Sequence, residues 1–225
     1  MSAIDHPLRT AAPGPQLRFA VQEASSLNYA AVPTLKFALR IEVAEAQPIN
    51  AILLDVQIQI AARRRGYGSE EQERLLELFG TPERWRTTLR TLPWLRTTMV
   101  VPAFAGCTAV DLEVPCTYDL EVTAARYFAA LEDGTVPLEF LFSGSVFFKT
   151  AAGALQTVRL GSDQETDFDL PIAVWRATMD RHFRGSAWLR LGDDSFKRLC
   201  AYKARHALPS FDAAIDSLIG SEATQ

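Results

Sequence analysis

The chain has 225 residues, of which 48% are hydrophobic and 22% are charged, the composition of an ordinary globular protein. Its formal net charge of −4 argues against attraction of the whole chain to nucleic acid or to an anionic membrane. The sequence contains no run of 18 apolar residues, so we expect no transmembrane helix.

Residues 1–16 contain three prolines and no apolar run. We interpret them as a disordered leader rather than a secretory signal. The chain has three cysteines, an odd number, and without such a signal they indicate reduced thiols. We therefore expect a cytoplasmic protein.

Three segments after the leader alternate apolar and polar side chains, at residues 17–22, 35–43 and 52–60. In a strand this alternation places the apolar side chains on one face, which another layer of structure has to cover. The connections between the segments are short, which favours an antiparallel sheet.

Residues 69–93 break the alternation and predict a helical insertion between strands. Ser69 is the expected N-cap of a first helix, with Gln72 at the capping-box position and Gly80 as the stop signal. Pro82 suits the first position of a second short helix.

Alternation resumes at residues 95–101 and 109–114, and the same parity continues as far as Val122. Residues 124–131 predict a short helix. After the longest strand of the chain, we expect a hairpin turn with Gly153 in the left-handed conformation and a return strand over residues 155–160. Residues 161–169 are acidic, and we interpret them as exposed.

The longest predicted strand, Val136 to Lys149, organises the rest of the chain. Every second side chain from Val136 is apolar, and most of the opposite row is polar, although Leu141 and Phe147 interrupt it. Gly144 lies between two serines, and we interpret these small residues as a place where another backbone or a large aromatic ring approaches closely.

From Pro171 the chain changes to a helical pattern, with Ile172, Trp175 and Met179 on one apolar stripe. Residues 187–191 then alternate as a short strand. Two amphipathic helices follow it, one opened by Asp193 and one capped by Ser210.

A short strand followed by two amphipathic helices resembles half of a ribbon-helix-helix unit, in which strands from two chains pair. The resemblance implies a homodimer contact through Trp188, Leu189, Arg190 and Leu191. Trp188 and Arg190 would then lie on the outward face, which DNA-binding members use to read bases. Three interpretations stay open: packing within the chain, homodimerisation, and DNA binding.

Together these patterns predict a mainly β (α+β) fold. Residues 17–170 form an antiparallel β-sandwich with a helical insertion at 69–93, and residues 171–225 form a helical region that ends in a strand–helix–helix.

Five segments carry a family resemblance: E-E-Q-E-R-L-L-E-L-F-G at 70–80, P-C-T-Y-D-L-E-V at 115–122, P-I-A-V-W at 171–175, W-L-R-L at 188–191 and Y-K-A-R at 202–205. They are similar to an uncharacterised bacterial family, a domain of unknown function. Its members tend to be encoded near oxygen-tolerant nickel–iron hydrogenase genes. The resemblance implies an accessory or maturation role, and it supplies no functional residues.

The sequence assembles no recognisable reaction centre. It has no paired metal-ligand spacing, no P-loop and no dinucleotide-binding glycine motif. We interpret His182 as a surface residue at a helix end, and Cys107, Cys116 and Cys200 as buried structural thiols. We therefore expect no catalytic residues, no metal and no cofactor.

Charge is distributed unevenly along the chain. Eight arginines face five glutamates between residues 63 and 96, whereas residues 97–170 carry a net charge of −8. The cationic stretch predicts a surface for an acidic protein partner, with tryptophans as anchors. The candidate partner-binding residues are Arg63, Arg64, Arg65, Arg84, Trp85, Arg86, Arg90 and Trp94. The alternative is that these arginines pair with the insertion's own glutamates and with the acidic strands.

We expect a non-enzymatic accessory or scaffold protein that binds another protein and is linked to hydrogenase assembly. We expect neither nucleic acid nor a membrane as a partner. The alternatives are a DNA-binding regulator that uses the C-terminal segment, and a small-ligand carrier that uses the interior or the rim of the sandwich.

Overall fold

The structure, a computed structural model of the chain, describes residues 14–44, 47–117, 119, 122–150, 152–161, 163–183 and 190–222. The chain divides into two compact units, residues 1–187 and residues 188–225. In the described residues no helix is long and apolar enough to cross a membrane.

The strands of the described chain are β1 (Leu17–Ser26), β2 (Thr34–Val43), β3 (Ile49–Ile60), β4 (Leu92–Val101), β5 (Cys107–Pro115), β6 (Thr135–Lys149), β7 (Leu155–Arg159) and β8 (Glu165–Pro171). Its α-helices are α1 (Ser69–Arg74), α2 (Leu76–Phe79), α3 (Trp85–Thr88), α4 (Thr123–Ala130), α5 (Ile172–Phe183), α6 (Asp193–Arg205) and α7 (Phe211–Glu222). Short 3₁₀ turns lie at Ala62–Arg64 and Pro82–Arg84.

The strands form two antiparallel sheets. One has the order β1-β2-β5, and the other has the order β4-β3-β6-β7 with β8 also paired to β6. The long strand β6 hydrogen-bonds to β3 along one edge. Along its other edge it pairs first with β8, from Thr135 to Leu141, and then with β7, from Ser145 to Lys149. The predicted mainly-β sandwich with helices is confirmed.

The core lies between the two sheets and consists of the inward rows that the alternation predicts. Phe37 on β2 and Phe140 on β6 meet edge to face, with ring centroids 5.2 Å apart. Phe19 on β1 stacks on Phe142 at 4.4 Å. These aromatic contacts add to the apolar area that the alternating rows bury.

Two helices close the sandwich unit. α4 packs against β4, and α5 packs against β1, β2 and β8. Phe128 of α4 stacks on Trp175 of α5 with ring centroids 5.3 Å apart, and Met179 is fully buried. Both helices lie where the sequence predicts them.

Residues 161–169 were not predicted as a strand, but β8 occupies most of this stretch. Phe168 and Leu170 point inward, while Glu165, Asp167 and Asp169 form its outer row. The alternation is present, but the outward row is entirely acidic, so composition obscures the strand.

Three boundaries also differ from the prediction. Gly68, not Ser69, is the N-cap of α1, and β4 already begins at Leu92, within the predicted insertion. Val122 is 42% exposed at the start of α4 and does not continue the inward row of β5. Tyr118 and Leu120 lie outside the described residues.

The C-terminal unit contains the two predicted helices, α6 and α7, which we call the C-terminal hairpin. The predicted strand at 187–191 falls largely outside the described residues, Trp188 and Leu189 included. Arg190 and Leu191 are described, and they lie in no strand. The half ribbon-helix-helix resemblance is therefore limited, in the described chain, to its helices.

Gly144 marks the point where the edge of β6 passes from β8 to β7. Its φ is +140°, and a Cβ atom added there would lie 2.1 Å from the carbonyl oxygen of Leu53 on β3. Its own carbonyl accepts a hydrogen bond from Leu160 N at 3.1 Å. The predicted close backbone approach therefore occurs here, and only glycine permits it.

We expect Gly144→Ala to lower the free energy of unfolding by at least about 3 kcal/mol, because it combines a forbidden φ with a backbone clash. Urea denaturation measures this loss. Gly153→Ala is the matched control, since Gly153 also has a positive φ but has open space around it, and its loss should be about 1 kcal/mol. Equal losses for the two variants would contradict the role given to the Leu53 contact.

Candidate partner-binding surface

The segment between β3 and β4, residues 61–91, is held to the sandwich at several points. Arg63 Nε donates a hydrogen bond to the carbonyl oxygen of Leu89 at 2.5 Å. Leu89 itself is buried in the core. The start and the end of the segment are thus joined directly, which fixes the loop that carries α3.

A buried ion pair ties the same segment to the turn that precedes β6. Arg65 Nη2 lies 2.7 Å from Glu71 Oε1 and also donates to the carbonyl oxygen of Asp133 at 2.7 Å. Glu71 Oε1 accepts from Glu132 N at 2.9 Å, and its Oε2 accepts from Gly68 N at 3.2 Å. The side chains of Arg65 and Glu71 are only 11% and 6% exposed. Glu71 therefore does the capping that the sequence assigns to Gln72.

Aromatic contacts hold Trp85 inside this segment. Its indole N–H donates to the carbonyl oxygen of Gly80 at 2.8 Å. Its ring meets Tyr67 edge to face at 5.2 Å and Phe79 at 6.1 Å. Trp85 is therefore half-buried, and its polar atom is satisfied within the chain.

Two tyrosines form a short hydrogen-bond chain behind this aromatic cluster. Tyr67 Oη lies 2.7 Å from both the carbonyl oxygen of Ala62 and Tyr127 Oη. Because the carbonyl can only accept, Tyr67 donates to it, and Tyr127 then donates to Tyr67. Burial raises the pKa of both phenols above the ordinary value of 10.0.

Two further candidates, Arg64 and Trp94, also have partners in the chain. Arg64 pairs with Asp167 at 2.8 Å and with Glu139 at 3.7 Å, in the acidic outer row of the large sheet. Trp94 is half-buried, with ring centroids 6.3 Å from Phe37 and 4.9 Å from Phe128. For Arg64, the structure shows the alternative pairing with acidic strands.

The remaining three candidates, Arg84, Arg86 and Arg90, are exposed, and none forms an ion pair with the described part of the chain. We call them the cationic segment. Glu83 is the acid next to it, and a hydrogen bond from the Thr81 side chain lowers the pKa of Glu83 below its usual value. Even when the negative charge of Glu83 is counted, the cationic segment exposes more positive than negative charge to solvent.

An apolar patch on the outer face of the large sheet is a feature that the sequence reasoning did not identify as a surface. Leu53 on β3 and Val100 on β4 are register partners, 43% and 65% exposed. Phe147 on β6 is half-buried on the same face. In the sequence, this patch is indicated by apolar residues at outward positions of the strands. Phe147 is one of these residues, which interrupt the alternation.

The three cysteines and His182 differ in burial and in their neighbours. Cys116 is buried, and desolvation raises its pKa to about 12, whereas Cys107 is exposed, contrary to the buried interpretation, and Cys200 is half-buried. His182 lies 3.0 Å from the carbonyl oxygen of Thr178 and 3.3 Å from that of Ala30, so it joins α5 to the β1–β2 loop.

No three His, Cys, Asp or Glu side chains of the described chain lie close enough together to hold a metal ion. An apolar pocket of ≈ 190 Å³ lies beside Trp94, Phe128 and Trp175. That volume is below the roughly 300–1,000 Å³ of typical ligand sites, whereas a cavity of ≈ 790 Å³ beside Ile49 and Phe104 lies within that range.

A family of unknown function, DUF6084, matches residues 14–225. No curated protein matches the chain. Similar solved structures include β-glucosidase 3B from Thermotoga neapolitana in complex with α-D-glucose, with a TM-score of 0.25 and 13% identity over 69% of this chain and 17% of that one. A β-glucosidase from Kluyveromyces marxianus has a TM-score of 0.24 and 7% identity over 69% of this chain and 15% of that one. Likeness at this level carries no argument about activity.

We expect Glu71→Gln to lower the free energy of unfolding by about 3–5 kcal/mol, because it leaves the Arg65 cation buried without an opposite charge. Urea denaturation measures the loss. Asp111→Asn is the control, since it removes an exposed ion pair with Lys36 and should cost less than about 1 kcal/mol. A small loss for both variants would show that the buried pair does not hold the segment.

We expect stability to fall as the pH rises through about 10, because the unfolded chain then releases phenolic protons that the folded chain retains on Tyr67 and Tyr127. The raised folded-state pKa values make this contribution complete below pH 10. Tyr127→Phe should flatten the decrease, measured by urea denaturation at a series of pH values. Tyr29→Phe, at a fully exposed tyrosine, should leave it unchanged. The same pH profile for both variants would contradict the assignment.

Proposed function

The chain belongs to the DUF6084 family, and we propose that it is a non-enzymatic accessory protein that binds an acidic surface of another protein through the cationic segment. The observation that carries the proposal is that Arg84, Arg86 and Arg90 are exposed without ion pairs in the described chain.

The contacts that fix residues 61–91 in place support a role of this segment in binding a protein partner. Arg63 holds the Leu89 carbonyl directly before Arg90, and Trp85 lies packed between Arg84 and Arg86. A backbone fixed before binding loses less conformational entropy when a partner docks. The predicted anchor role of Trp85 is accordingly replaced in this proposal by a positioning role.

Arginine suits this task for a chemical reason. Its guanidinium group donates to carboxylates in a fixed, bidentate geometry, and it is less strongly hydrated than the ammonium group of lysine. Three such groups within seven residues favour a partner surface rich in aspartate and glutamate. Their long-range attraction also speeds association at low ionic strength.

The family resemblance of the sequence indicates which proteins to test first as the partner. It implies a link to the assembly of nickel–iron hydrogenases, so subunits and maturation factors of such an enzyme are the first proteins to test. The alternative of a DNA-binding regulator gains no specific observation, since Arg190 lies in no described strand. The small-ligand carrier stays an alternative, because a cavity of ≈ 790 Å³ lies beside Ile49 and Phe104.

We expect the triple variant Arg84→Glu, Arg86→Glu, Arg90→Glu to bind the partner at least about tenfold more weakly, because it reverses the attraction at the interface. The full-length protein is used to capture partners from native cytosol, and the Kd of each purified partner is then measured. Binding to the unaltered protein should weaken as salt rises from roughly 0.05 M to 0.5 M.

The control is a second triple reversal at exposed cations of the sandwich outside the cationic segment: Arg18→Glu, Lys149→Glu and Arg159→Glu. It makes the same change in net charge, so a general charge effect would weaken both variants equally. Equal weakening, or retention of the partner by the first triple variant, would overturn the assignment of the surface.

A further inference from the structure

The C-terminal hairpin exposes most of its large apolar side chains. α7 carries apolar residues three and four positions apart, which places them on one stripe of the helix. The exposed large apolar side chains of this unit are Leu191, Phe196, Phe211, Ile215, Leu218 and Ile219. Such a stripe is the kind of helix face that proteins usually cover.

The two helices contact each other, yet the large apolar side chains of this stripe stay exposed. Tyr202 and Ser217 join the helices by a hydrogen bond of 2.8 Å between their hydroxyl groups. Phe196 and Phe211 touch at the open end, with ring centroids 5.6 Å apart. Of the residues described in this unit, Ala214 alone is fully buried.

A unit of this size cannot form a hydrophobic core from its own residues. Chains shorter than about 40 residues usually need disulfides, metal ions or association to stay folded. Cys200 is a free thiol, and the described residues hold no cluster of metal ligands. The hairpin therefore needs a further surface, in its own chain or in another, to cover its apolar stripe.

The two helices carry opposite charge. α6 has four cations and two acids, and its acids lie in the first turn. α7 has three acids and no cation. The cation Arg198 lies in the middle of α6, and the acid Asp216 lies in the middle of α7. Both are exposed. A surface with both signs side by side is complementary to its own copy turned by 180°.

We propose that the C-terminal hairpin pairs with the hairpin of a second copy of this chain. The apolar stripes of the two α7 helices face each other, and α6 of each copy lies beside α7 of the other. The four helices then share one core, with opposite charges at its rim. This inference rests on the hairpin alone and is independent of the cationic segment.

The first test is the mass of the full-length protein in solution, by sedimentation velocity from about 1 µM to about 200 µM. A dimer of twice 24.9 kDa is expected. Ile219→Glu should raise the dimer Kd by roughly 100-fold, because a two-fold interface loses the same buried side chain twice. Val100→Glu is the matched control, since Val100 is also 65% exposed but lies on the sandwich.

The second test reverses one charge in each of two variants and then mixes them. Pairing that is restored by mixing cannot result from a folding defect. Arg198→Glu and Asp216→Lys each place like charges beside one another in a homodimer, and each alone should weaken dimerisation several-fold. Mixing the two variants restores opposite charges at both contacts, so a heterodimer should form, detected by native mass spectrometry. Both substitutions lie far from helix ends, where dipole effects are small.

A monomer at every concentration would overturn the proposal, whether the stripe is covered by its own sandwich or by a different protein. A dimer that Ile219→Glu and Val100→Glu weaken equally would also overturn it, and so would failure of the mixed variants to pair. None of these outcomes bears on the Arg84, Arg86 and Arg90 test, so the two proposals fail separately.

Discussion

The close approach of two backbones at Gly144 is the contact on which the large sheet depends. The added Cβ of any other residue would meet the Leu53 carbonyl at 2.1 Å, so β3 and β6 reach this spacing only with glycine. At the same point the outer edge of β6 passes from β8 to β7. Gly144 therefore sets the register of β6 against β3 on one side of the strand. On the other side it permits the neighbour of β6 to change from β8 to β7.

The register of this sheet in turn places the start of the segment between β3 and β4, residues 61–91, which also carries the cationic segment. β3 leads directly into the turn that carries Arg63, Arg64 and Arg65, and β6 begins just after Asp133. Because β3 and β6 are hydrogen-bonded neighbours, Arg65 reaches both Glu71 and the Asp133 carbonyl. Hydrogen bonds to both oxygens of the Glu71 carboxylate offset part of the cost of burying this ion pair.

Side-chain periodicity predicted the sandwich because it reports which face of a strand is buried. It gave the inward rows of β2, β3 and β6, and it anticipated a close backbone contact at Gly144. It failed at β8, where an acidic outer row concealed the alternation. The buried interpretation of Cys107 was wrong for another reason, since it did not follow the alternation, which places Cys107 at an outward position of β5. Periodicity identifies a face, but a composition bias within one row can hide it.

The candidate surface was less predictable because its outcome depends on neighbours that are distant in sequence. Arg64 and Asp167 are 103 positions apart, and no local pattern announces their contact. The same is true of Arg65, whose partners lie in two different turns. The sequence indicated a run of arginines as the candidate surface, but it left open which of them form ion pairs within the chain.

The cationic segment and the apolar stripe of the hairpin are both exposed, but they act through different forces, which suits them to different tasks. Charge on the cationic segment acts at a distance, is screened by salt and favours a partner that binds and leaves. The apolar stripe of the hairpin acts only on contact, and salt does not screen it, which favours a lasting association. Separate compact units carry them, so a dimer formed through the hairpins would present two cationic segments at once. A partner with two acidic sites within reach would then bind more tightly overall, because the second contact adds to the affinity while the first contact stays the same.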